Sequence, residues 1–243
     1  MRVPVSNVHF LPLFDRFSCI LLILVLAQAV WNPLCAQGQA TGSIRGKVKV
    51  PLTDDFTSEM LRGRALMRYH MHDAMSDEPV APYTLSEKAV VYIETAGGAR
   101  YAPPGEHPAL DQHQMMFRPL VLPVCAGTTV DFPNSDNLYH NVFSYSQAKE
   151  FDLGRYPKGH SKSVTFSRPG IVNVYCDIHT YMYATILVLD NPYFTTPADD
   201  GSYNLTGVPP GSYTLAYWYG RKKISSVPVV VKAGQVSTID FTD

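Results

Sequence analysis

The sequence lacks a charge bias, a cysteine framework and any long apolar run in its body, and each absence removes a class of protein. Lys and Arg number 20 against 21 Asp and Glu, for a formal net charge of −1. No basic surface argues for nucleic acid, and no acidic tail for a solvated one. Charged residues make up only 17% of the chain and apolar ones 46%, which excludes intrinsic disorder for most of it. The apolar run Cys19–Ala29 falls well short of the roughly 20 residues that a spanning helix needs, so a multi-span membrane protein is excluded as well.

What is present begins with a leader. Arg2 and Arg16 precede the apolar run, and small residues follow it. Charge, short apolar core and small-residue cleavage site form the order of a secretory signal. Cleavage is compatible with Ala29, Ala36 or Ala40, and Ala36 is preferred, giving a signal peptide over 1–36 and a periplasmic or secreted protein with no stable membrane span. Removing two arginines and one aspartate takes the formal charge from −1 to −2. It also removes Cys19 and Cys35, leaving Cys125 and Cys176. In an exported chain, two cysteines suggest a disulfide; the alternative is a metal thiolate.

The remaining chain reads as all-β. Ser43–Val50 and Lys88–Glu94 have strand patterns. Between them lies an insert, residues 51–87, in which Thr57–Ala74 lacks proline and reads as a helix. From Leu120 to Leu189 short strand-like runs alternate with turn residues such as Gly127, Asn134-Ser135-Asp136-Asn137 and Pro169-Gly170. That rhythm predicts a Greek-key sandwich over 37–190. Asp190-Asn191-Pro192 is a natural boundary. Beyond it, 191–243 carries D-D-G-x-Y-x-L-x-x-V-P-P-G-x-Y-x-L, which resembles the small carboxypeptidase-regulatory-like or transthyretin-like sandwich. Asp199-Asp200-Gly201 is read as a turn rather than a calcium loop, which needs several oxygen ligands at fixed spacing.

The chemistry lies in Cys176-Asp177-Ile178-His179-Thr180-Tyr181-Met182, which sets a thiolate, an imidazole and a thioether three residues apart each time. His140, followed by Asn141, sits upstream on a predicted strand. Two His, one Cys and a weak axial Met are the ligand set of a blue-copper electron-transfer site. Zinc and a Cys125–Cys176 disulfide are the alternatives; Met182 and the upstream His-Asn favour copper over zinc, whose structural sites usually use more Cys and His. C-x-x-H is not C-x-x-C-H, so haem attachment is excluded.

At this point the chain resembles a known family. Val124–Asp136 (V-x-x-G-T-T-V-D-F-P-N-S-D), His140–Ser144 (H-N-V-F-S) and Cys176–Met182 (C-D-I-H-T-Y-M) resemble the cupredoxins. The likeness is to the amicyanin and pseudoazurin-like group, and to plastocyanin-like proteins of methylamine-utilisation clusters. It runs from about Ser43 to Asp190 and does not cover Pro51–Glu87. It implies that His140, Cys176 and His179 are equatorial ligands of one type 1 copper ion and Met182 the axial one. It also implies that Asn141 hydrogen-bonds across to the Cys loop and holds the two ligand segments together.

The expected function is therefore a periplasmic single-electron carrier working with redox proteins of dehydrogenase or cytochrome type. A copper storage or delivery protein is the alternative, favoured by Met67, His70, His72, Met71 and Met75 in the insert, which could bind Cu(I) but more commonly pack as an apolar face. No nucleophile–base pairing, phosphate loop or paired catalytic carboxylates stands out, so an enzyme is not expected. Cys125 reads as an unpaired thiol, and Asp131 and Asp136 as ordinary strand and turn charges. With Ile178 and Tyr181 flanking it, His179 is expected to be the solvent-facing ligand through which electrons pass. A chain ending at Asn191 retains every expected ligand and should still bind copper.

Overall fold

Several strands of this protein alternate between two apolar faces rather than between an apolar and a wet one. In β11 (Tyr183–Leu189) and β2 (Ala89–Ile93) every residue is buried. A strand buried on both faces must lie inside a stack of layers. The computed structural model describes residues 40–51, 58–59, 61–63, 65–66, 81–95, 101–102 and 105–242. The signal-peptide reading of 1–36 lies outside the described residues, as do Met67, His70, Met71, His72 and Met75 of the insert.

The first sandwich has a five-stranded sheet in the order β5 (Val121–Cys125), β11, β10 (Gly170–Tyr175), β7 (His140–Ser146), β8 (Lys149–Tyr156). Two antiparallel pairs complete it: β6 (Thr128–Pro133) with β9 (Ser161–Phe166), and the hairpin β3 (Asp111–His113) with β4 (Met116–Arg118). Val130, Phe132 and Phe166 meet Val142, Val172, Val174, Ile186 and Val188 in its core. The expected β-strands from Leu120 onward are present. The sequence reading misses β8, whose every second residue faces solvent, and the β3–β4 hairpin, whose strands are only three residues long.

The second sandwich pairs a sheet β13 (Ser202–Val208), β1 (Gly42–Lys47), β16 (Val236–Thr238) with a sheet β12 (Phe194–Thr195), β2, β14 (Gly211–Tyr219), β15 (Lys222–Val231). Gly46 lets β1 approach its neighbour: a Cβ there would stand 1.6 Å from the Ile239 carbonyl oxygen. Asp199 accepts a hydrogen bond from the Leu85 amide and Asp200 from the Ser202 amide, in keeping with a turn.

The ladders redraw the division made at Asp190. β1 pairs with β13 and β16, and β2 with β12 and β14, so both strands assigned by sequence to 37–190 are hydrogen-bonded to the C-terminal strands. Residues 39–243 form one compact unit. Strand alternation explains it. Ala89, Val91 and Ile93 enter the second sandwich's core, while Val90 and Tyr92 face the other way. There they join Val121, Tyr183, Leu187, Leu189, Ala216 and Trp218 in a third core, between the two sandwiches. A short helix, α1 (Leu85–Lys88), opens with a capping box between Thr84 and Glu87, and Glu87 also receives Arg118 of β4 at 2.7 Å. In the insert, the described residues Ser58, Glu59, Leu61–Gly63, Ala65 and Leu66 are helical, as the sequence pattern predicts.

The third core makes the half that carries the Cys176–Met182 loop dependent on the C-terminal half. Trp218→Ala is expected to lower stability by about 3–5 kcal/mol, read as a reduced urea midpoint. A chain ending at Asn191 leaves β2 without β12 and β14 and uncovers this core. It is expected to aggregate or bind a hydrophobic dye, contrary to the expectation from sequence. A monodisperse truncated chain with a cooperative melt would show that the first sandwich stands alone.

Candidate metal centre

The loop Cys176–Met182 joins β10 to β11, and the pair Tyr175–Tyr183 closes the ladder beneath it. The amide of Met182 donates to the His179 carbonyl at 2.9 Å, making the loop a tight turn. His140 opens β7, next to β10 in the same sheet. Loop and strand thereby bring His140, Cys176 and His179 together, with one ligand atom from each lying within 4.8 Å of the others.

The donor triangle is well formed. His140 Nδ1 and His179 Nδ1 are 3.0 Å apart, and Cys176 Sγ lies 4.0 and 3.8 Å from them. Metal–nitrogen bonds of about 2.0–2.1 Å and metal–sulfur bonds of about 2.3 Å close onto a triangle of those sides. The three side chains are 0%, 3% and 1% exposed respectively for His140, Cys176 and His179. His179 Nε2 is buried with no hydrogen-bond partner among the described residues. Met182, the fourth expected ligand, is fully buried and belongs to the core beneath the loop.

Burial by itself would raise the Cys176 thiol. Hydrogen bonds from the His140 and His179 rings, with the backbone N–H groups of Asn141 and His179, outweigh it and bring the thiol down to about 6. Thiolate is the metal-binding form. The His140 ring is pushed down by burial, but Asp136 and Cys176 outweigh this and raise it. Cys125, by contrast, is free, buried and pushed up by burial and by the Asp190 carboxylate. Cys176 is also free, so the disulfide alternative is overturned.

Asn141 acts differently from what the resemblance implies. Its side-chain Nδ2 donates to Asp152 Oδ1 on β8 at 2.7 Å, not to the Cys loop. The β7–β8 ladder slips between Asn141 and Phe143, and the Asn141 backbone N–H is the group that reaches the thiolate. Irregularities of this kind re-aim groups beside functional sites.

Two further readings need correction. His179 does not face solvent: it is 1% exposed. Glu59, Arg62, Gly63 and Leu66 of the insert share a cleft with Thr180 and Tyr181, and a Cβ on Gly63 would stand 2.7 Å from Tyr181 Cβ. Helix residues thus pack over the loop beside His179, which short-range sequence pattern gives no means of placing. Asp136, read as an ordinary turn charge, accepts a hydrogen bond from His140 Nε2 at 2.8 Å. The one signal for it was its position four residues before an expected ligand histidine.

No family model matches the chain. Among curated proteins it is similar to a probable rhamnogalacturonate lyase A of Neosartorya fischeri, 41% identical over 46 residues, or 19% of this chain and 9% of that one. The Aspergillus terreus counterpart is 39% identical over the same share. The chain thus spans about a tenth of the length of the curated relatives it matches. Among solved structures, it resembles a copper-containing nitrite reductase of Thermus scotoductus, with 28% identity and TM-score 0.34 over 40% of this chain and 25% of that one. It also resembles an amicyanin mutant in its Cu(I) form, with 24% identity and TM-score 0.33 over 42% and 98%. A purple cupredoxin of Nitrosopumilus maritimus gives 26% identity and TM-score 0.29 over 31% and 84%. These overlaps are partial, and the case for a metal centre stands on the side chains themselves.

A proton competes with the metal for Cys176. With the His140 ring held above its ordinary value and the thiol at about 6, uptake of a thiophilic ion by the metal-free protein should weaken as pH falls through the neutral range, where His140 takes up its competing proton, and further as it falls through about 6. For one competing proton the loss is about tenfold per pH unit. Competition against a chromogenic chelator across that range measures it; an affinity independent of pH would mean that the thiolate is not a ligand.

Proposed function

We propose that this is an exported type 1 copper protein that carries single electrons between redox proteins of dehydrogenase or cytochrome type. His140, Cys176 and His179 would hold the ion, with the Met182 thioether as a weak fourth donor. The observation that carries this reading is the water-excluded triangle of two imidazoles and one thiolate at one end of a β-sandwich.

Bound there, copper would supply a one-electron couple, Cu(I)/Cu(II). Each ligand residue suits both states. The imidazoles of His140 and His179 are acceptable donors to either, the Cys176 thiolate gives a strong bond and an electron path, and the Met182 thioether, a weak donor, steadies Cu(II) slightly while remaining acceptable to Cu(I). The scaffold resists rearrangement between them. His140 lies within a ladder, Cys176 directly follows one and Met182 directly precedes one. Burial of all four residues keeps water from adding to the site.

Among the described residues no helix is long and apolar enough to cross a membrane. Export is inferred from the charged, apolar and small-residue order of the first 36 residues.

The wild-type protein loaded with Cu(II) should be intensely blue and take up one copper per chain. A colourless protein binding several Cu(I) ions would favour storage or delivery instead. Cys176→Ser is expected to abolish the absorption while the fold survives, and Cys125→Ser to leave it intact. The reverse result would overturn the ligand assignment. Met182→Leu should keep copper bound and raise the reduction potential, because the thioether donates weakly to Cu(II). An unchanged potential in voltammetry would mean that Met182 is not a ligand.

A further inference from the structure

We propose that Asp136 is the positioning residue of this centre: it fixes the His140 ring as an Nδ1 donor and lowers the reduction potential, and the β3–β4 hairpin is shaped to hold it. The inference rests on the copper reading above.

Three N–H groups converge on the Asp136 carboxylate. Oδ1 accepts the Gln114 amide at 2.6 Å, and Oδ2 accepts the Met115 amide at 2.7 Å and His140 Nε2 at 2.8 Å. The carboxylate is only 12% exposed, so these contacts replace its water. Gln114 and Met115 are the two loop residues of the β3–β4 hairpin, between the pair His113–Met116. Their φ values are 53° and 57°. Two-residue hairpin turns with both φ positive favour Asn-Gly, and neither residue here is of that kind. Their successive amides form a concave anion-binding nest, and Asp136 fills it. Met115 is anchored in the core on its other side.

The segment carrying Asp136 is equally constrained. Asn134 Oδ1 accepts the Asp136 amide at 2.9 Å, while Asn134 Nδ2 donates to the carbonyls of Leu138 and Tyr156. Ser135 donates through its amide to the Gln112 carbonyl and through its hydroxyl to Asp111. The turn is tied to the hairpin on one side and to β8 on the other.

Two consequences follow. An ionised carboxylate only accepts, so His140 keeps its proton on Nε2, and Nδ1, which faces Cys176 and His179 and donates to the thiolate in the metal-free protein, is the nitrogen left to give up its proton to a metal. A poorly solvated negative charge against the ring also favours the more positive metal state, Cu(II). No other carboxylate of the described residues contacts a ligand ring.

The test compares Asp136→Asn, which removes the charge, with Asp136→Ala, which also removes the acceptor. Asp200→Asn, an exposed turn carboxylate of the second sandwich, is the charge control. Protein-film voltammetry and Cu(II) affinity are measured on each. Both Asp136 variants should bind Cu(II) about 10–100-fold more weakly and have raised potentials. A tenfold loss selective for Cu(II) over Cu(I) equals a rise of about 59 mV. The control should match wild type. Blue Asp136 variants with the wild-type potential, even if less stable to heat, would overturn the inference and reduce Asp136 to a structural role.

A second measurement needs no variant that folds. In the wild-type Cu(I) or Zn(II) protein, the His140 Nε2–H should give a slowly exchanging, downfield proton resonance. Exchange as fast as that of free imidazole would overturn the inference. A colourless wild-type protein that still shows this resonance would count against the copper reading and for the role of Asp136, so the two failures are distinguishable.

Discussion

A buried imidazole needs something for each ring nitrogen, and the first sandwich is organised around giving His140 both. One nitrogen faces Asp136, and the other faces the Cys176 thiol and the His179 ring. Leaving either side unpartnered in a water-free interior would cost about 1–3 kcal/mol. The turn at Asn134–Asp136, the short β3–β4 hairpin and the slipped β7–β8 ladder all act to place groups around that ring or its thiolate neighbour. His179 is partnered on one side only, through Nδ1, and its Nε2 is buried without a hydrogen bond among the described residues. The two histidines therefore differ in how firmly the protein itself orients them.

The second constraint is the layering. β2, β11 and β14 each send alternate side chains into different cores, so neither sandwich has a free face where they meet. Tyr183 shows the link to the site most directly. It follows Met182 in the chain, lies in the core between the sandwiches, and hydrogen-bonds Asn173 and Thr185. Arg118 joins the same layers from the hairpin side, through its ion pair with Glu87 of α1. The loop Cys176–Met182, through the adjoining Tyr183, and the hairpin, through Arg118, are thus both tied to the layers they share with the second sandwich.

Local pattern was a good guide wherever one segment carried the whole signal. Cys176, His179 and Met182 share one loop, and their spacing with the upstream His140 is what points to soft-metal chemistry. The strands of the first sandwich were legible from alternation and turn residues. Asp136 was not, because a turn aspartate beside Asn and Ser is ordinary in composition, and its meaning depends on two amides more than twenty residues upstream. The β3–β4 hairpin was missed because its turn is Gln114-Met115, with none of the Asn-Gly chemistry that marks such turns.

The membership of β1 and β2 was illegible for a different reason. Their sequences specify strand, and in β2 the continuous run Ala-Val-Val-Tyr-Ile specifies burial on both faces, but a strand does not name its partner. By itself the sequence specified an all-β chain and set the Cys176, His179 and Met182 side chains in one loop, since periodicity, turn residues and residue spacing act over a few neighbours. Only the tertiary structure decided which sandwich the early strands complete, which helix residues pack against Thr180 and Tyr181, and which carboxylate holds His140. Those outcomes come from hydrogen bonds and packing between segments far apart in the chain, whose geometry is settled only when all the layers close together.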